Sequence, residues 1–170
     1  MKITRTFLLT WLLTVLGVGI YAADNVAASK GTPANPPFEK LKTLVGTWET
    51  KLPDGKTATG TVRLAGNGSA LVIESAEDGM ITVIHPDGES LMATHYCGAK
   101  NQPRYVLAPS KDQNTVAFQF KDVTNLASPE AGHMRGVVFT FLGADRHRED
   151  WTWRENGKDE VFSMEFTRKK

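Results

Sequence analysis

Apolar and polar residues alternate with a period of two along most of this chain, and only one stretch, before Val45, carries helical spacing. There Phe38, Leu41 and Leu44 recur at three-residue intervals and predict one short helix over Phe38–Leu44. A first strand is expected through Gly46-Thr47-Trp48. Thr57–Leu64 then sets Ala58, Gly60, Val62 and Leu64 on one face and Thr57, Thr59, Thr61 and Arg63 on the other. After the turn residues Gly66-Asn67-Gly68, a strand carries Leu71 and Ile73 inward. Further strands are predicted over Met80–His85, Glu89–Cys97, Arg104–Ala108, Thr115–Lys121, His133–Leu142, His147–Glu155 and Lys158–Thr167.

Three turns fix expected registers. Asn156-Gly157 is the favoured two-residue hairpin turn, so Glu155 faces Lys158. Counting outward, Arg154–Asp159 and Arg148–Glu165 fall on a solvent face. The opposite face sets Trp153 against Glu160, Trp151 against Phe162, Glu149 against Met164 and His147 against Phe166. A three-residue Gly143-Ala144-Asp145 loop pairs Phe141 with His147, Phe139 with Glu149, Val137 with Trp151 and Arg135 with Trp153. A three-residue Pro86-Asp87-Gly88 loop pairs His85 with Glu89, Val83 with Leu91 and Ile81 with Ala93, and continues that face through His95 and Cys97.

About ten short strands with one wet face each imply an all-β domain of antiparallel strands. A sheet of that size must close or fold over to protect its edges, and a single up-and-down β-barrel with one short N-terminal helix is the expected fold. A sandwich or an open half-barrel is the alternative.

The first residues have a separate character. Lys2 and Arg5 precede an apolar run from Phe7 to Ile20, with small residues at Ala22 and Ala23, which is the pattern of a secretory signal peptide over residues 1–22. Ala28 is a second possible cleavage site. The run is shorter than the roughly 20 apolar residues of a spanning helix, so no membrane span is expected after its removal. Residues 23–37 read as a flexible leader and 38–170 as the barrel domain, in an exported protein, periplasmic or extracellular. With Lys2 and Arg5 removed from the 20 basic residues, 18 remain against 19 acidic ones, a balance that gives no reason to expect nucleic acid or an anionic surface as partner. The single cysteine, Cys97, excludes an internal disulfide.

Three segments carry a resemblance: Leu44-Val45-Gly46-Thr47-Trp48-Glu49 after the short helix, Thr94-His95-Tyr96-Cys97 with Asn101-Gln102-Pro103-Arg104, and Trp151-Thr152-Trp153 with Asn156-Gly157-Lys158. On these the chain resembles the calycin superfamily of lipocalins, fatty-acid-binding proteins and nitrobindin-like haem barrels. It looks closest to a bacterial exported lipocalin-like family of unknown function. The resemblance implies a lipocalin-like barrel that binds a small hydrophobic molecule in its interior. Nitrobindin-like barrels hold haem through a histidine close to the C-terminus, and this chain has none after His147.

The candidate chemistry lies where polar residues interrupt the apolar face. His85, His95, His133 and His147 all fall on it, with His95 the best interior candidate. Arg135 and Glu149 share it, and Arg135 is expected to stack on Trp153 and reach Glu149, either as a register-fixing ion pair or as the clamp for a ligand's acidic or polar head. Trp48, Tyr105, Phe139, Trp151 and Trp153 complete the candidate ligand-binding set with His95, Arg135 and Glu149, while Phe162 adds to the wall. No cofactor is specified. A haem barrel using His95 or His133 is one alternative, and a filled barrel serving structure or a partner is another. His95 and Cys97 supply two donors where a metal site needs three or four, so no metal ligands are assigned. No catalytic motif occurs, and catalysis would require His95, Cys97 and Glu149 to converge.

Overall fold

In the computed structural model, which describes residues 35–170, the alternating segments pair in sequence order into a closed antiparallel barrel. The expected signal peptide, and the leader as far as residue 34, lie outside the described residues. The strands are β1 (Gly46–Lys51), β2 (Thr57–Ala65), β3 (Ala70–Ser75), β4 (Ile81–Asp87), β5 (Ser90–Tyr96), β6 (Gln102–Ala108), β7 (Thr115–Thr124), β8 (His133–Gly143), β9 (Arg146–Glu155) and β10 (Lys158–Arg168). Each pairs with its sequence neighbours, and β1 closes on β10.

One helix, α1 (Pro36–Lys42), precedes β1. It starts and stops two residues earlier than the apolar spacing suggests. Pro36 and Pro37 occupy the first turn, where a missing N–H costs nothing. Asn35 caps it, accepting a hydrogen bond from the Phe38 N–H at 3.1 Å while its own amide donates to the Ser90 carbonyl at 3.0 Å. The cap therefore also fixes the helix to the barrel. Phe38, Leu41 and Leu44 are buried in one cluster with Trp48, Leu71, Ile84, Leu91, Tyr105, Phe118 and Phe139. This cluster fills the helix end of the barrel.

The β9–β10 register follows Asn156-Gly157 throughout, from Glu155 opposite Lys158 to His147 opposite Phe166. On the outer face Arg154 makes a bidentate pair with Asp159, both bonds 2.6 Å. Arg148 turns instead to Asp150 and Glu165 to Arg146.

Two expected registers are corrected. The β4–β5 connection is the two-residue turn Gly88-Glu89, with Gly88 at φ 62°, so Asp87 faces Ser90 and Pro86 faces Leu91. The faces of β4 are thereby exchanged. Thr82 and Ile84 point inward, Thr82 opposite His95, while His85 is exposed. On β8 the pairs Phe141–His147, Phe139–Glu149 and Val137–Trp151 form, but a bulge at Arg135 brings Met134, not Arg135, opposite Trp153.

Gly136 lies beside that bulge, where a Cβ would sit 2.5 Å from the Phe118 carbonyl oxygen. A backbone atom in a sheet has little room to retreat. Gly136→Ala is therefore expected to destabilise the fold by about 1–3 kcal/mol, the usual cost of overpacking, read as a lower urea midpoint at unchanged slope.

Closure at the β1–β10 seam is short. Trp48, Glu49 and Thr50 pair with Arg168, Thr167 and Phe166, and the Lys169 N–H reaches the Thr47 carbonyl at 2.8 Å. Arg168 reinforces it by donating to the carbonyls of Val45 and Thr43, each at 2.8 Å. Among the described residues, β10 from Lys158 to Glu165 pairs with β9 alone. No helix among the described residues is long and apolar enough to cross a membrane.

Candidate functional site

Away from α1 the inward positions become small or polar, with Ala58, Gly60, Thr82, His95 and Glu149 replacing the bulky residues of the helix end. The barrel is consequently hollow there, with a cavity of about 910 Å³ that is open to the outside. Trp48, Trp151, Trp153, Met134, Met164 and Phe166 supply apolar wall. Phe162 also faces this space and remains 43% exposed, because no side chain opposite fills the volume before it. The lining includes Leu52 and Pro53 beyond β1 and Glu160–Met164 of β10, residues that flank the unpaired part of the seam and include the exposed Val161 and Phe162.

Glu149 is 5% exposed and is held by its neighbours on its own strand. Residues at i and i+2 of a strand share a face, so His147, Glu149 and Trp151 form one inward row. The Trp151 indole N–H donates to one carboxylate oxygen at 2.8 Å, and the His147 Nε2 lies 3.2 Å from the other. This row gives the carboxylate the partners a buried polar group requires. His147 is locked in turn between the Phe166 ring, stacked at 4.9 Å, and the Trp48 edge at 4.3 Å.

His95 forms the other polar element. It is 4% exposed, its ring 4.9 Å from that of Trp151, and its Nδ1 is 2.9 Å from the Thr82 hydroxyl. Burial pushes its imidazole down to about 4, against the opposing pull of Asp78 and Glu149. The ring is therefore neutral at pH 7. Nδ1 is the one hydrogen-bond partner of the Thr82 hydroxyl among the described residues, so the hydroxyl's proton is satisfied by donating to Nδ1, which places the ring's N–H on Nε2. Nε2 has no hydrogen-bond partner, and His95 lines the cavity.

Charge at the cavity is one-sided. Glu74, Glu77, Asp78 and Glu160 line its outer part, against Lys51. The expected cation for an acidic head is displaced: Arg135, carried round by the bulge, lies 4.1 Å over the Phe120 ring and is not among the lining residues. Its expected stacking on Trp153 is replaced by this contact.

The structure brings Trp48, His95, Glu149, Trp151 and Trp153 together around the cavity, with Phe162 at its opening. Tyr105 and Phe139 do not line it. Both are fully buried, Phe139 edge-on to Phe118 and Tyr105 edge-on to Trp151. Burial raises the Tyr105 hydroxyl well above its ordinary value, with Cys97 adding to the effect. Cys97 itself lies beyond β5, half-buried and outside the lining. His133 is buried against Phe120, its Nδ1 on the Ala131 carbonyl, and is also outside it. Among the described residues no group of three or more His, Cys, Asp and Glu side chains is arranged to hold a metal ion.

Sequence reasoning missed Thr82 and the acidic opening, and noted His147 as inward without assigning it to the site. The His147-x-Glu149-x-Trp151 spacing was a usable signal for the row around the carboxylate. Thr82 could be found only from the two-residue turn that sets the β4 register.

No family model matches this chain, and no curated protein matches it either. Among solved structures the chain is similar to Rv2717c from M. tuberculosis, with 14% identity over 79% of this chain and 98% of that one, at a TM-score of 0.50. At that identity the likeness concerns the fold alone, a ten-stranded antiparallel barrel.

Proposed function

We propose that this protein is an exported, non-catalytic barrel that reversibly binds a small apolar molecule with a polar head in its interior. The observation that carries the reading is the half-filled barrel. A core packed at the helix end gives way to a cavity of about 910 Å³, within the roughly 300–1,000 Å³ range of small-molecule sites. Aromatic and methionine walls with a few buried polar groups are the composition such a site needs. Binding is favoured over catalysis because Cys97 is outside the lining and Glu149 already accepts from His147 and Trp151. Export rests on Lys2, Arg5 and the Phe7–Ile20 run.

The test is titration with an uncharged solvatochromic dye such as Nile red, followed by its emission and by tryptophan quenching. Saturable binding is expected. Gly60 lines the cavity, and a Cβ there meets only the Glu74 carbonyl oxygen at an ordinary 3.5 Å. Gly60→Phe should therefore occupy the space without disturbing the sheet and lower the affinity at least about tenfold, equivalent to 1.4 kcal/mol. Equal binding by a folded Gly60→Phe protein would place the dye elsewhere and remove the reading.

A further inference from the structure

We propose that the cavity selects an uncharged ligand, an apolar molecule carrying an oxygen acceptor such as a carbonyl or hydroxyl, which takes the Nε2–H of His95, and that it excludes carboxylates. The inference rests on the interior-binding reading above and narrows it to a ligand class.

Three observations converge on it. First, His95 is 4% exposed with Nδ1 held by Thr82 and Nε2 unpartnered. Its near end is tethered to the adjacent strand and its ring lines the cavity, where Nε2, covered in this structure, is the ring nitrogen left without a partner. A buried N–H without a partner is costly, and the same cost becomes discrimination in favour of a ligand that supplies an acceptor.

Second, the acceptor must be neutral. Asp78 and Glu149 are near enough to His95 to act on its protonation, so a carboxylate seated on Nε2 would meet the same two negative charges. The cation that would offset this repulsion, Arg135, is not in the lining. The four outer carboxylates oppose an anion on approach as well. Third, an ammonium head offers only donors: the outer carboxylates attract it to the opening, but seated at His95 it would leave Nε2–H unpaired.

The test uses the purified protein and four ligands of equal chain length at pH 7.5: 2-dodecanone, 1-dodecanol, dodecanoate and dodecylammonium, each displacing Nile red. The ketone and alcohol are expected to compete, with dodecanoate and dodecylammonium at least about tenfold weaker. His95→Leu should lower ketone affinity about five- to tenfold, the worth of a typical hydrogen bond. If that variant does not fold, imidazole ¹⁵N resonances of the wild-type protein give the same information. Ketone binding should shift Nε2 of His95 with its proton retained, and an unmoved Nε2 would overturn the contact. Dodecanoate or dodecylammonium binding as tightly as the ketone would overturn the neutral-ligand assignment while leaving the cavity reading intact. Nile red binding with no competition from any of the four would also overturn it. Failure of Nile red itself to bind would defeat the cavity reading, and this inference with it.

Discussion

Trp48→Ala is expected to lower the unfolding free energy by about 3–5 kcal/mol, the range for deleting a large buried aromatic. Its ring is 1% exposed, donates its indole N–H to the Leu44 carbonyl at 2.6 Å, packs edge-on to His147 and lies under the Arg168 guanidinium at 4.2 Å. One side chain thus joins the exit from α1, the floor of the cavity and the seam. Trp48→Phe keeps much of the packing but leaves the Leu44 carbonyl without its donor, and should cost less, about 1–3 kcal/mol. Trp153 is only half-buried, and Trp153→Ala should fall clearly below Trp48→Ala. Urea denaturation followed by far-ultraviolet circular dichroism measures all three. A Trp48→Ala loss no greater than that of Trp153→Ala would show that the seam does not depend on this residue.

The second large effect is a loss of stability in mild acid. His95 has its folded value near 4 because burial disfavours the imidazolium, whereas in the unfolded chain it titrates near its ordinary value of about 6.5. Between those limits the unfolded state binds more protons, so stability falls as pH falls. The contribution is fully present above about pH 6.5, declines through the interval and is gone below about pH 4, a total of about 3 kcal/mol. Urea midpoints from pH 7.5 to 4 should show the decline, and His95→Gln, which cannot take up a proton, should flatten it over that interval. Parallel wild-type and variant curves would mean that His95 accepts its proton without penalty in the folded barrel.

The sequence was most informative where a turn has one dominant geometry. Asn156-Gly157 determined every β9–β10 pair, and with it the inward position of Glu149 between His147 and Trp151. Pro86-Asp87-Gly88 misled because Pro86 remains in β4. The β3–β4 pairing ends at Ile84, so the proline's missing N–H breaks no ladder on that side. The turn moves to Gly88-Glu89, the faces of β4 exchange, and Thr82 becomes the partner of His95. Arg135 was misplaced for a different reason. Period-two counting assumes an unbroken ladder, and a bulge adds a residue that alternation does not reveal. The charge of the opening was illegible as well, since Glu77, Asp78 and Glu160 come together only when non-adjacent strands surround one cavity.

The short seam bears on how fast an interior ligand exchanges. In a barrel laddered along its whole circumference, a molecule inside leaves through an end or by breaking strand pairs. Here β10 from Lys158 to Glu165 has a partner on one side only, and the opening runs along that stretch. A molecule leaving along that stretch would break no β1–β10 pair, since those pairs lie at Trp48–Thr50 and Phe166–Arg168. For the ligand proposed above, the release rate would then be set by its contacts with the pocket and not by opening of the protein. On that reading the occupancy of the barrel would follow the free ligand concentration outside it promptly, as in a carrier or buffer more than in a protein that keeps one molecule for life.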